Sequence, residues 1–130
     1  MQASKEYWAS KVVNAAFEVH KNMGPGLLES VYETCMLKEF ELQNIPVYAQ
    51  VPVPIIYKGQ TLDKDYRIDL LVGGEVLVEL KAVEYVLPVH HAQLLSYLKL
   101  TDKQVGFLIN FNVPLIKNGI KRFVNNYEGV

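Results

Sequence analysis

Residues 66–82 read YRIDLLVGGEVLVELKA, two runs dense in Leu and Val folded on Gly73-Gly74. The pattern predicts a hairpin of strands Tyr66–Val72 and Glu75–Ala82, of the kind found in the middle of a sheet. Asp69 interrupts the first strand, and Glu79 and Lys81 close the second. Charge among buried neighbours is costly unless it is paired, hydrogen-bonded or bound to a metal. These three residues therefore ask for a purpose.

Side chains two apart on a strand share a face, so Glu79 and Lys81 point one way and Leu80 the other. Asp69 depends on the turn. A two-residue loop pairs Val72 with Glu75 and sets Asp69 opposite Val78, away from Glu79. A three-residue loop, Gly73-Gly74-Glu75, pairs Val72 with Val76 and sets Asp69 opposite Glu79. The residues present allow both. In the second register the two carboxylates lie about 5 Å apart and need a cation between them. Lys81 supplies part of that charge, and a hard divalent ion such as Mg²⁺ suits the rest. Such an ion polarises a phosphoryl oxygen and acidifies water, while Lys81 can position that water and stabilise transition-state charge. The constellation suits phosphodiester hydrolysis.

Working outward, Trp8, Val12, Ala15, Val19 and Met23 recur at steps of three and four, predicting a helix from about Lys5 to Met23. Gly24-Pro25-Gly26 ends it. A second helix is expected from about Leu27 to Gln43, with Leu28, Val31, Tyr32, Cys35, Met36 and Phe40 on its apolar side. The β-branched run PVYAQVPVPIIYKGQTL carries Pro46, Pro52 and Pro54, which places it at a sheet edge or in a bulge. Its YKGQ is a turn. Pro88 opens a third helix running to about Leu100, QVGFLINF (Gln104–Phe111) is an apolar strand, and GIKRFVNN suggests a further short one. The order α-α-β-β-β-α-β, with that terminal β, predicts an α/β or α+β domain with a mixed central sheet flanked by helices.

The chain has 130 residues, half of them hydrophobic and 21% charged, which suits an ordered domain with a real core. The N-terminal MQASKEYWASK has no apolar segment of a secretory signal, and no run approaches the roughly 20 apolar residues of a membrane helix. Cys35 is the only cysteine. No membrane association and a cytoplasmic location are expected. The net charge is −1, yet beyond Ala82 the bases Lys99, Lys103, Lys117, Lys121 and Arg122 outnumber the acids Glu84, Asp102 and Glu128. That is a mild basic bias, weaker than a tight non-specific nucleic-acid binder carries.

Asp69, nine residues, then Glu79-Leu80-Lys81 across a hairpin resembles the PD-(D/E)XK nuclease superfamily, whose restriction-endonuclease-like core order α-β-β-β-α-β matches this chain. Ile68 stands where the motif's name has proline, a position that varies widely there. Gln93 and Tyr97 in QLLSY resemble the Gln-x-x-x-Tyr element of the exonuclease-like branch, which lies near the active site and contacts nucleic acid. GLLESVY, with Gly26, Glu29 and Tyr32, is similar to the motif that names the GxxExxY family, a bacterial group of the same superfamily. ELKAVE, HAQLLSYLKL, LINF and IKRFVN resemble its later blocks, so the likeness runs from about residue 5 to 126. It implies one nuclease-like domain over residues 1–130, with Glu29, Asp69, Glu79 and the Leu80 carbonyl as ligands of Mg²⁺ (Mn²⁺ as substitute). It makes Lys81 the catalytic lysine, with Tyr32 packing or hydrogen-bonding beside the site. The implied substrate is DNA, less readily RNA. The alternative is a fold of this type that binds a protein or nucleic acid without cutting. The chain has little room for a recognition domain, and a homodimer or partner protein could supply the missing surface.

Blander readings stand beside these. Asp69, Glu79 and Lys81 could form an ion pair on a solvated strand face, and Glu29 could be an ordinary helix N-terminal acid. Gln93 and Tyr97 share a helix face whatever their role. His90 and His91 lack a partner at ligand spacing and flank the third helix, though one could approach a phosphate. His20 is expected to complement the first helix's dipole, and Cys35 to belong to the core. Lys121 and Arg122 could contact phosphate or simply line a solvated edge.

Overall fold

The computed structural model describes residues 4–127. Helix α1 (Lys5–Met23) starts where the Ser4 hydroxyl accepts a hydrogen bond from the Tyr7 N–H (3.2 Å), and ends at Gly24, whose φ of 69° few other residues tolerate. Helix α2 (Glu29–Leu42) follows. Strands β1 (Val47–Tyr57), β2 (Gln60–Val72) and β3 (Val76–Lys81) come next, then α3 (Pro88–Thr101), β4 (Val105–Asn110), a 3₁₀ turn at Ile116–Asn118 and β5 (Ile120–Val124). This is the expected order, with the terminal strand present.

The five strands lie in sequence order, and every pairing is antiparallel except β3 with β4. That parallel pair is the one joined by a helix, α3, because parallel neighbours need a long crossover. Val12, Ala16, Met36 and Phe40 from α1 and α2 cover one face of the sheet, against Leu70, Val78, Leu80 and Ile109. Leu94, Tyr97 and Leu98 of α3 cover the other, against Ile68, Leu77 and Leu108. All six residues of β4 are buried, as befits a strand covered on both faces.

Several expectations shift. Met23 and Leu28 are exposed, at 43% and 73%, because they sit where the chain leaves and enters helices at the Gly24–Gly26 turn. Strand β2 starts at Gln60 rather than Tyr66, since its partner β1 continues that far and turns through Lys58 and Gly59. β1 is the proline-bearing edge strand, with a bulge between Pro54 and Ile56. The distal half of this hairpin, out to Tyr57 and Gln60, is largely exposed.

The β2–β3 turn takes the three-residue form. Glu75 N–H donates to the Val72 carbonyl (3.1 Å), Gly73 and Gly74 have φ of 62° and 71°, and Val72 pairs with Val76. The indole of Trp8 lies where a side chain on Gly73 would be, so the turn is packed against α1.

Candidate active site

The β2–β3 ladder runs through Leu71–Leu77 and Leu70–Val78 and then stops. The next facing residues are Asp69 and Glu79, and their side chains take over from the backbone. Asp69 N–H donates to Glu79 Oε1 (3.1 Å), and Leu80 N–H donates to Asp69 Oδ2 (2.7 Å). Each carboxylate thus holds the other's strand. Strand alternation also breaks here. Ile68 packs toward α3 while Leu70, two residues on, packs toward α1 and α2. Opposite, Gln50 of β1 adopts φ 52°, and the ladder skips both Gln50 and Asp69. The strands part at Asp69, and the gap in the ladder that the two carboxylates border is the cleft of this site.

Leu77 belongs to the α3 side, so Glu79 and Lys81 face α3 as well. The Lys81 carbonyl accepts from Phe111 N–H (2.9 Å) toward β4. Alternation therefore turns both the N–H and the carbonyl of Leu80 toward the cleft. Just past the end of β3, Val83 has its N–H and carbonyl both held by the Asn110 side chain (3.1 and 2.9 Å).

Glu79 is 8% exposed. Burial and then the charge of Asp69 push its carboxyl up to about 8, against a weaker opposing pull from Asp69 N–H and Lys81. Neither carboxylate forms an ion pair with Lys or Arg among the described residues. The pair is therefore electrostatically unsatisfied, and a hard oxygen set of this kind fits a divalent cation. Glu29 opens α2 and is exposed as a residue. Loss of water around its carboxyl, then the charge of Asp69, nevertheless raises its pKa, while Lys81 lowers it. It stands at the rim of the cleft within electrostatic reach. Among the described residues no three His, Cys, Asp or Glu side chains converge closely enough to hold a metal, so Glu29 does not close on the pair.

The Gly24–Gly26 turn is fastened by Tyr32. Its buried hydroxyl donates to the Gly24 carbonyl (2.6 Å) and accepts from Leu27 N–H (3.1 Å), and its ring stacks on Phe111 at 4.4 Å. Gly26, with φ 98°, lets the turn close. Gly26, Glu29 and Tyr32 thus form one device: a turn, the acid it delivers and the clamp that fixes both.

From α3, Tyr97 is buried beside the cleft with its ring 5.1 Å from Tyr66. Burial, then the charge of Glu79, raises its hydroxyl pKa. Gln93, one turn earlier, is exposed. His90 caps α3 by accepting from Leu87 N–H at Nδ1 (3.0 Å), and burial, then Lys81, lowers its pKa. His20 bonds the Val113 carbonyl (2.8 Å) and so tethers α1 to the loop after β4, beyond any dipole role. Cys35 packs against the core. Arg122 is committed to Glu6 through two bonds of 2.8 and 2.6 Å, away from the cleft.

Sequence reasoning passed over Tyr66 and Asn110. Asn110 did carry a signal, as the polar end of the apolar run QVGFLIN. Tyr66 carried none, because its place depends on where α3 crosses the sheet.

No curated protein and no solved structure matches the chain. A family model described as the PD-(D/E)XK nuclease superfamily matches residues 6–123. Nucleases of that superfamily generally use divalent metals, in keeping with the donor set at the cleft. With nearly the whole chain matched, the protein belongs to the PD-(D/E)XK nuclease superfamily.

Proposed function

We propose that this chain hydrolyses phosphodiester bonds of DNA, in preference to RNA, with Mg²⁺ as its ion and Mn²⁺ as a substitute. The observation that carries the reading is the Asp69–Glu79 cross-brace beside Lys81, two carboxylates held together at a parted strand pair without a cationic partner. Asp69, Glu79 and the Leu80 carbonyl would hold the ion, with Glu29 joining from the rim. When bound, the ion polarises a phosphoryl oxygen and acidifies water.

The chain's own residues do the rest. Asp69 is oriented by Leu80 N–H and Glu79 by Asp69 N–H, so neither acid needs to reorganise. Lys81, on the same face as Glu79, steadies negative charge growing on the phosphate and positions the attacking water. Gln93 and Tyr97 border the path of the strand. Tyr32 acts at one remove, by fixing the turn that presents Glu29.

The test is cleavage of single- and double-stranded DNA and RNA with Mg²⁺ or Mn²⁺, beside calorimetric titration of each ion. Asp69→Asn should abolish metal binding and cleavage together. Lys81→Met should keep metal binding and slow cleavage by about 10²–10³-fold. Wild type that binds neither ion, even with nucleic acid present, refutes the reading. The rival, a domain that binds without cutting, draws support from the exposed Ile56, Tyr57 and Leu62 on the projecting hairpin, which suit a partner protein or second copy. Metal binding without cleavage of any of these substrates would favour it.

A further inference from the structure

Beyond Glu79 and Lys81, the α3 face of the sheet continues across β4 to β5. Lys81 lies beside Asn110, Asn110 N–H bonds the Gly119 carbonyl (2.8 Å), and Leu108 lies beside Lys121. Here a recess of about 120 Å³ opens, bordered by Val86, His91, Asn110, Asn118, Gly119 and Lys121. Val86, Leu108 and Val113 make its wall largely apolar, and His91, Asn110, Asn118 and Lys121 supply the polar groups set into it. Lys121 Nζ sits 5.8 Å from the centre of the Phe123 ring, and the His91 ring meets the same phenyl edge-on at 5.3 Å. One aromatic ring thus steadies both nitrogen-bearing side chains.

Two further details mark a built recess. At Gly119 a Cβ would run into the Asn110 carbonyl and Val113, so the backbone there must stay bare. Asn110 is 4% exposed, and its Nδ2 makes one hydrogen bond, to Val83, out of the two it can donate. Lys121 forms no ion pair among the described residues.

Resting on the nuclease reading above, we propose that this recess seats a second phosphate of the substrate strand. Lys121, His91, Asn118 and the spare Asn110 N–H bind its non-bridging oxygens. Two strand spacings separate Glu79 from β5, about 10 Å. Neighbouring phosphates of one strand lie at about twice the roughly 3.4 Å axial rise, so that places the seated phosphate one or two nucleotides from the scissile one. The recess would set a minimum substrate length and hold the strand in register over the cleft. It also gives a local use to the mild basic bias of the C-terminal part.

The test uses the full chain. Cleavage and fluorescence-anisotropy binding are measured on single-stranded oligonucleotides of two, four, six and ten nucleotides, for wild type, Lys121→Gln, His91→Gln and the remote surface control Lys38→Gln. Wild type should gain affinity between the dinucleotide and the longer strands. Lys121→Gln should lose about tenfold in KM on the longer strands, with a salt slope shallower by about 1. It should match wild type on the dinucleotide, and Lys38→Gln should match wild type throughout. Cleavage that is intact in wild type but equally length-dependent in Lys121→Gln overturns the subsite and leaves the nuclease reading standing. Lys121-dependent binding of inorganic phosphate with no dependence on strand length also overturns it, in favour of a free-anion site. Wild type that neither cuts nor binds any length overturns both.

Discussion

At the scale of single residues, the electrostatic cost of the site falls on one buried acid. Glu79 is buried beside another carboxylate, and its raised pKa reports how poorly the metal-free protein tolerates its charge. Glu79→Gln keeps an acceptor for Asp69 N–H and adds an amide that can donate to Asp69. Thermal unfolding without metal should show the variant more stable by about 1 kcal/mol, in the range of other changes that relieve functional strain. On the proposed reading, metal binding and cleavage are lost with it. A variant that is both less stable and inactive would mean that Glu79 holds the strands together rather than serving a cation. Tyr32 makes the converse case. Tyr32→Phe keeps the stack on Phe111 but strips partners from the Gly24 carbonyl and Leu27 N–H, which should cost about 1–3 kcal/mol in denaturant unfolding. Glu79 and Lys81 were legible together because a strand's two-residue period fixes which side chains share a face, whereas the place of Asp69 beside them waited on the turn. Glu29, Gln93 and Tyr97 came from family likeness, since nothing local ties a helix acid or a helix glutamine to a distant strand. Asn110, Lys121 and His91 could not be grouped at all until β4 and β5 were known to lie beside β3.

Among the elements, the β2–β3 hairpin carries the decisive geometry, because its register alone determines whether Asp69 meets Glu79. Two consecutive glycines accommodate either loop length, so composition left the choice open. The fold settles it through packing, with Trp8 of α1 laid against Gly73 and the three-residue loop setting Val72 opposite Val76. The two glycines are therefore not equivalent. Both have positive φ, but a methyl group on Gly73 would overlap the Trp8 ring, whereas one on Gly74 meets nothing. Gly74→Ala should cost about 1–2 kcal/mol, the backbone penalty alone. Gly73→Ala should cost more, by a further 1–3 kcal/mol of overpacking. Denaturant unfolding of both, with Trp8→Ala in a double-mutant cycle, checks the cause. If Trp8→Ala does not recover that extra cost, the indole is not what holds the turn. The helices were read well in their middles and less well at their ends, where Met23 and Leu28 follow the apolar spacing but lie beside a turn rather than over the sheet.

At the scale of the whole molecule, the first turn of α1 is braced to β5, the edge strand opposite β1. Glu6, in the first turn of α1, takes both guanidinium N–H bonds of Arg122 on β5 and a further bond from the Tyr127 hydroxyl. Those bonds, Arg122's foremost, hold the Glu6 carboxyl down at about 2, against an ordinary value near 4.5. A carboxyl lowered on folding stabilises the protein above its unfolded pKa, and that contribution fades as pH falls through the folded value. Stability should therefore be level in this respect from neutral pH to about 5, then decline toward pH 2. The pair is over a third exposed, so solvent screening limits its worth to about 1 kcal/mol or less. Thermal unfolding of wild type and Glu6→Gln across pH 7 to 2.5 checks this, with the two curves apart at neutral pH and converging at the acid end. Curves that stay parallel would place the contribution elsewhere. Because Arg122 is neighbour to Lys121 on β5, the same brace steadies the strand bordering the proposed phosphate recess. Glu6→Gln should nonetheless leave the dinucleotide-to-decamer difference intact at pH 7, since no group in cleft or recess is removed. Loss of that difference would mean that β5 needs the brace to hold its place, and that strand recognition depends on the tie between α1 and β5.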